Sequence, residues 1–360
     1  MNDHSLQVYS GKRVLITGDT GFKGSWLALW LTKLGADVTG LGLPPVTCND
    51  NFIVTGLESR IHHIDGDIRN PDIIIRVIQE TQPDFVFHLA AQALVLNSYQ
   101  DPHYTFTTNI LGTLNVLEAL RKNPLLVKTA VMVTSDKCYE NREWVHGYRE
   151  SDPLGGKDPY SASKGASEIV ISSYIRSFFS DTDTTAVASV RAGNVIGGGD
   201  WSKDRIMPDV IRALMKKQPV HIRNPAAIRP WQHVLEPLYG YLLLGDALSK
   251  DRKKFSGAWN FGPHPCNAVS VETLVKEIIR LWGSGSYIVD SSENISAESS
   301  ILMLDIAKAV QVLGWSPHLT LPESVRFTLD EYRINELSHE EVFHQRCRHI
   351  DEYMRMRSNA

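Results

Sequence analysis

Only four cysteines occur in 360 residues, Cys48, Cys138, Cys266 and Cys347, and no two stand close enough to form a C-x-x-C pair. This scarcity argues against a disulfide framework, a thioredoxin-like redox pair and a zinc site, so no metal is expected. No run of about 18 apolar residues is present, which excludes an expected membrane span. The opening residues MNDHSLQVYSGKR lack the apolar core of a secretory leader. A cytoplasmic protein with reduced thiols is the expectation. Neither sign of charge dominates, with 37 Lys+Arg against 41 Asp+Glu and a net charge of −4, and there is no long basic block. A nucleic-acid partner is therefore not expected, whereas a local basic pocket for a small anionic ligand is compatible with this balance. At 42% hydrophobic residues the chain can build a sizeable core, and its length suits one large or two ordinary domains.

From Arg13 to Arg191, short β-branched runs alternate with helix-length segments of period near 3.6. The strand candidates are RVLIT from Arg13, ADVTGL from Ala36, RIHHI from Arg60, FVFHLA from Phe85, VMVTS from Val131 and TAVASV from Thr185. This alternation predicts an α/β fold: a Rossmann-like, doubly wound parallel sheet in a cofactor domain over residues 1–191. After Arg191 the chain turns Gly-, Pro- and aromatic-punctuated, and only PVHIR and GAWNF read as strands. A smaller α/β substrate domain is expected over 192–360, with some return of the chain to the first domain. The last 25 residues, charged and poor in aromatics, read as a peripheral helix.

The first strand runs into TGDTGFKG, placing Gly18, Gly21 and Gly24 between a strand and a helix with Phe22 and Lys23 among them. Glycines here allow a tight turn and close approach of a pyrophosphate to the free N–H groups of the helix start. Lys23 can reach the same anion, and Asp19 is expected to oppose it and weaken cofactor affinity. The second strand runs into GLGLPPVT without an acid for a ribose 2′-OH or an Arg for a 2′-phosphate, so NAD and NADP are not separated by these residues. Further along, Tyr160 and Lys164 form Y-x-x-x-K on one face of a helix, with Ser135 at the end of the fifth strand. A Tyr of reference pKa about 10 becomes a usable base when an ammonium and a nicotinamide cation favour its phenolate.

The G-x-x-G-x-x-G turn with Ser135, Tyr160 and Lys164 resembles the extended short-chain dehydrogenase/reductase superfamily. Asp67-Ile68 is similar to its adenine-contacting step, and Leu89-Ala90-Ala91 to the small-residue wall beside its cofactor. The acidic pair that follows the Ser/Thr position in nucleotide-sugar 4,6-dehydratases is here Asp136-Lys137. With TTNILGTLNVLEA, RAGNVIGGGDW, DRIMPD and IRPWQHVLEPL, it resembles the CDP-glucose 4,6-dehydratase branch over most of residues 10–335. That resemblance implies a hydro-lyase of deoxysugar biosynthesis: NAD-dependent C4 oxidation of CDP-glucose, loss of water across C5–C6 and hydride return to C6. It implies Tyr160 as base for the C4 hydroxyl, Lys164 as its support, Ser135 on the nascent ketone and Asp136 as acid for the C6 oxygen. Lys137 is either the C5 base, which requires a neutral amine, or an orienting group. Asn194, Arg205 and Arg229 match phosphate- and ribose-contacting positions of the substrate, and Trp231 reads as core or pocket wall. The base rests on the resemblance alone; another nucleotide-sugar dehydratase (dTDP or GDP) or a 4-epimerase is the alternative. A homodimer, or a dimer of dimers, is implied through the helices holding NILGTLNVLEAL and Tyr160.

Overall fold

The computed structural model describes residues 4–180, 185–290, 301–334 and 336–358. Six expected strands form where β-branched runs meet turn residues: β1 (Arg13–Thr17), β2 (Asp37–Gly42), β3 (His62–Asp65), β4 (Phe85–His88), β5 (Thr129–Val133) and β6 (Ala186–Arg191). They are joined by a seventh, Gly257–Asn260, in the spatial order seventh–β6–β5–β4–β1–β2–β3, every pairing parallel. This is a doubly wound sheet whose order reverses between β1 and β4, the crevice where such sheets bind ligands. Three small two-stranded sheets lie in the C-terminal half, among them Val220–Ile222 paired with Tyr287–Val289. Among the described residues no helix is long and apolar enough to cross a membrane.

One feature refines the sequence reading and another departs from it. GAWNF, assigned above to the second domain, is where the expected return of the chain to the first domain occurs: it completes the central sheet against β6, with Trp259 and Asn260 buried. The C-terminal helix, His339–Ser358, is not peripheral: it buries Val342, Phe343, Arg346, His349, Ile350 and Tyr353. The reason lies in α1 (Phe22–Lys33), in which Trp26, Leu27, Leu29, Trp30 and Leu31 are all buried. A helix apolar on every side needs cover on both faces. The sheet supplies one, and the C-terminal helix helps supply the other, with Tyr353 edge-on to Trp30 at 6.1 Å and Asp351 paired with Lys33 at 2.8 Å.

Candidate active site

The Gly-rich turn closes directly under β4. Gly18 has φ +78°, and a Cβ there would lie 2.7 Å from the Ala90 backbone; one on Gly24 would lie 1.9 Å from the Gly18 carbonyl oxygen. Only glycine allows so close an approach, which leaves the start of α1, capped by no side chain, open to the cleft. Leu89, Ala90 and Ala91 leave β4 beside it, and Asp67 and Ile68 leave β3; all five line the cleft. The Asp67 carboxylate is engaged by Arg69, whose backbone N–H and Nε each donate at 2.9 Å and hold it below the usual carboxylate range.

Asp19 does not line the cleft in which it is expected to oppose the cofactor. Its carboxylate is fully buried and faces β2, where a Cβ on Gly40 would lie 2.0 Å from Oδ2, and it pairs with His63 Nδ1 at 2.7 Å. Tertiary placement of β3 turns it away from the cleft. The hydrogen bond with Asp19 raises the His63 pKa above its ordinary value, against the desolvation that lowers it. A raised folded pKa contributes stability that is fully present below the unfolded value of about 6.5 and lost as pH rises through the folded one. Denaturant melts of wild type and Asp19→Asn are therefore expected to show a wild-type advantage at pH 6 that narrows by pH 8.5.

Catalytic candidates converge where β5 meets the helix Pro159–Phe178. Asp158 caps that helix by accepting from Ser161 N at 2.9 Å, and Pro159 occupies its first turn, so Tyr160 and Lys164 enter the cleft one above the other. Ser135 hydrogen-bonds with Tyr160 and donates to Asp136 Oδ1 at 2.9 Å, while Lys137 N donates to Ser135 Oγ at 3.3 Å. Asp136 is buried against Gly193, where any Cβ would lie 1.9 Å from Oδ2, and accepts from Asn194 Nδ2 at 3.4 Å. Burial pushes the Tyr160 phenol up to about 12, with the Ser135 hydrogen bond and Arg205 opposing. The cation that lowers it is Arg205 and not the expected Lys164. Lys164 is itself brought down to about 8 by burial, with Glu168 opposing. Lys23 likewise falls to about 8, from burial first and then from Arg205 and Lys164, so three cations share one region.

On the substrate side, Asn194 adopts φ +52° after β6, and Arg205 Nη1 pairs with Asp200 at 3.0 Å. Desolvation works against the charge on Arg205, and Asp200 more than offsets it. Arg229 and the buried Trp231 form another part of the wall. Every residue proposed above for cofactor, catalysis or substrate lines one cleft of about 2030 Å³. A drug-sized pocket holds roughly 300–1,000 Å³, so this one has room for two nucleotide-sized ligands side by side.

Two supports escaped the sequence reading. Glu168, one turn beyond Lys164, makes a buried pair with Arg191 at 2.8 Å and accepts from Ser189 Oγ at 2.8 Å and from Thr134 Oγ1. Its i,i+4 spacing from Lys164 was a usable signal. Asp200 sits five residues before its partner Arg205 in a Gly-rich loop, a pairing that only loop geometry reveals.

Known proteins resemble this chain over most of its length. The family described as GDP-mannose 4,6 dehydratase matches residues 15–328. CDP-glucose 4,6-dehydratase of Salmonella typhimurium is 48% identical over 321 residues, covering 88% of this chain and 89% of that one. dTDP-glucose 4,6-dehydratase of Streptomyces antibioticus is 27% identical over 89% of this chain and 92% of its own. Among solved structures, the UDP-glucose 4-epimerase of Thermus thermophilus in complex with NAD superposes with TM-score 0.76 at 26% identity, covering 89% of this chain and 99% of that one.

Proposed function

Because the chain belongs to the nucleotide-sugar dehydratase family described as GDP-mannose 4,6 dehydratase, we propose that it converts CDP-glucose to CDP-4-dehydro-6-deoxyglucose with NAD as a catalytic cofactor. The observation that carries this reading is Asp136: an acid buried beside Ser135, on the cleft wall that Tyr160 also lines. A 4-epimerase has no water to expel and no use for an acid at that point. The CDP moiety follows the 48% identity to the Salmonella enzyme.

The crowded Gly18–Ala90 contact and the open start of α1 suit a dinucleotide pyrophosphate, with Lys23 beside it and Lys164 and Tyr160 toward its nicotinamide ribose. NAD, when bound, supplies reversible hydride acceptance. The remaining chemistry belongs to side chains. Tyr160 takes the proton of the C4 hydroxyl, and Ser135 hydrogen-bonds the oxygen as it becomes a ketone. That ketone acidifies C5–H. Lys137 removes the C5 proton while Asp136 protonates the departing C6 hydroxyl, so water leaves; Lys137 then gives a proton back to C5, and hydride return to C6 balances the oxidation at C4. Arg205, Arg229 and Asn194 hold the diphosphate and its ribose, the guanidinium forks suiting bidentate phosphate contact. Exposed apolar side chains on the two helices expected at a dimer contact, Leu111 and Ile169 at 48% and 59% exposure, support a homodimer.

Purified protein incubated with CDP-glucose and NAD is expected to yield the 4-keto-6-deoxy chromophore in alkali; no product from CDP-, dTDP-, GDP- or UDP-sugars would overturn the dehydratase reading. Lys137→Gln separates the two roles of that residue. As the C5 base it is expected to slow solvent-deuterium exchange at C5 by about a hundredfold, and exchange at the wild-type rate would leave it an orienting group.

A further inference from the structure

The loop 197–200 carries the partner of Arg205, and its backbone is held by residues distant in sequence. Gly198 N donates to Glu331 Oε2 at 2.7 Å, and Trp26 Nε1 donates to Gly198 O at 2.9 Å. Asn51 N donates to Gly199 O at 3.3 Å, and the Tyr332 hydroxyl donates to Asp200 O. Asp200 then presents Oδ2 to Arg205 and accepts Ser202 N on Oδ1. The loop has no slack: a Cβ on Gly198 would lie 2.2 Å from Glu331 Cβ, and one on Gly199, at φ +78°, 2.3 Å from Asn51 Cβ.

Glu331 is fully buried and fully occupied. His233 Nε2 lies 3.1 Å from Oε2 and His349 Nδ1 3.0 Å from Oε1. His233 Nδ1 accepts from Leu235 N at 3.4 Å, which assigns the proton to Nε2 and makes that ring a donor to Glu331. Behind them Arg346 donates through Nη2 to Glu331 O at 2.7 Å and through Nε to Asn51 Oδ1 at 3.3 Å. A buried carboxylate with this many donors is costly to assemble, and nothing in the proposed chemistry uses it. Among the described residues, the hydrogen bond from its carboxylate to the loop is the one accepted from Gly198 N.

We propose that Glu331, held by His233, His349 and Arg346, is a positioning residue that fixes loop 197–200 so that Asp200 presents Arg205 to the diphosphate of the nucleotide sugar. The inference rests on the substrate reading above and adds to it a role for the C-terminal helix in substrate affinity. Glu331→Gln keeps shape and volume but replaces one acceptor oxygen with a donor, which then opposes an N–H of Gly198 or a histidine.

Calorimetric titration with CDP and, separately, with NAD tests this on wild type, Glu331→Gln, Arg205→Ala and the double variant. Glu331→Gln is expected to weaken CDP binding about tenfold, leave NAD binding within about twofold, and have little further effect in the Arg205→Ala background. In turnover the loss is expected in KM for CDP-glucose and not in kcat. Equal loss of both ligands, additive effects of the two substitutions, or unchanged CDP affinity would each overturn the proposal. Wild-type protein that binds no CDP would overturn the substrate reading as well, which separates the two failures. If Glu331→Gln does not fold, Arg346→Lys is measured in its place with the same expectations, since Lys keeps the charge but cannot bridge Glu331 O and Asn51 together.

Discussion

Tyr160→Phe is expected to lower CDP-glucose turnover by about a thousandfold, the upper part of what a positioned general base contributes. The substitution removes one oxygen from a buried ring. Ser135 keeps its bond to Asp136 at 2.9 Å, and the Gly-rich turn is untouched, so affinities for NAD and CDP are expected to stay near wild type. The pH profile gives a second reading. With burial holding the phenol up at about 12, the phenolate needed to accept the C4 proton is scarce at neutral pH. Wild-type kcat is thus expected to rise between pH 7 and 9, and the residual activity of Tyr160→Phe to be flat. A Phe variant with wild-type turnover would remove Tyr160 from the role of base, and a wild type without that rise would show that the bound cofactor lowers the phenol pKa below its value in the protein alone.

The second large effect concerns Glu168. Its carboxylate and the Arg191 guanidinium are 2% and 3% exposed, and Arg191 also donates to the Tyr139 hydroxyl at 2.6 Å. Removing one member of a buried pair leaves the other charge uncompensated, at a cost of about 3–5 kcal/mol. Glu168→Ala is therefore expected to lower the urea midpoint markedly, and Glu168→Gln, which keeps the shape and one acceptor oxygen for Thr134 or Ser189, to lower it less. The sign with pH follows from a folded pKa held below the usual carboxylate value, chiefly by Arg191 against the burial that would raise it. Stability from this group is present above the unfolded value of about 4.3 and lost as pH falls through the folded one. The gap between wild type and Glu168→Gln should close in acid. Because Glu168 also raises the Lys164 pKa, the variant is expected to deprotonate Lys164 below pH 8. A midpoint unchanged in both variants would show that the pair contributes nothing net.

Local signals made most of the sheet and the cleft legible. Strands β1 to β6 coincide within a few residues with β-branched runs, and Gly18, Gly24, Tyr160 and Lys164 sit where strand ends and helix starts put them. What stayed hidden depends on distant partners. Asp19 faces His63, 44 residues away, and no local pattern tells which way a turn carboxylate points. The C-terminal helix looked peripheral because its buried stripe, Val342, Phe343, Arg346, His349, Ile350 and Tyr353, mixes apolar side chains with a cation and an imidazole. The spacing is helical, but hydropathy alone discounts it. Distant partners explain why those two belong inside: the Glu331 carboxylate for His349, and the Glu331 carbonyl with Asn51 Oδ1 for Arg346.

The strand Gly257–Asn260 has a consequence for how the chain is made. Until it emerges from the ribosome, β6 is an unpaired parallel edge of six buried-type residues, while residues 192–256 are still being synthesised. An open edge of that kind invites pairing with other chains. Termination after Arg191 would preserve the Gly-rich turn and the Tyr160–Lys164 pair yet leave that edge permanently bare, so the nascent protein becomes safe from self-association only when its second half has threaded back to the first.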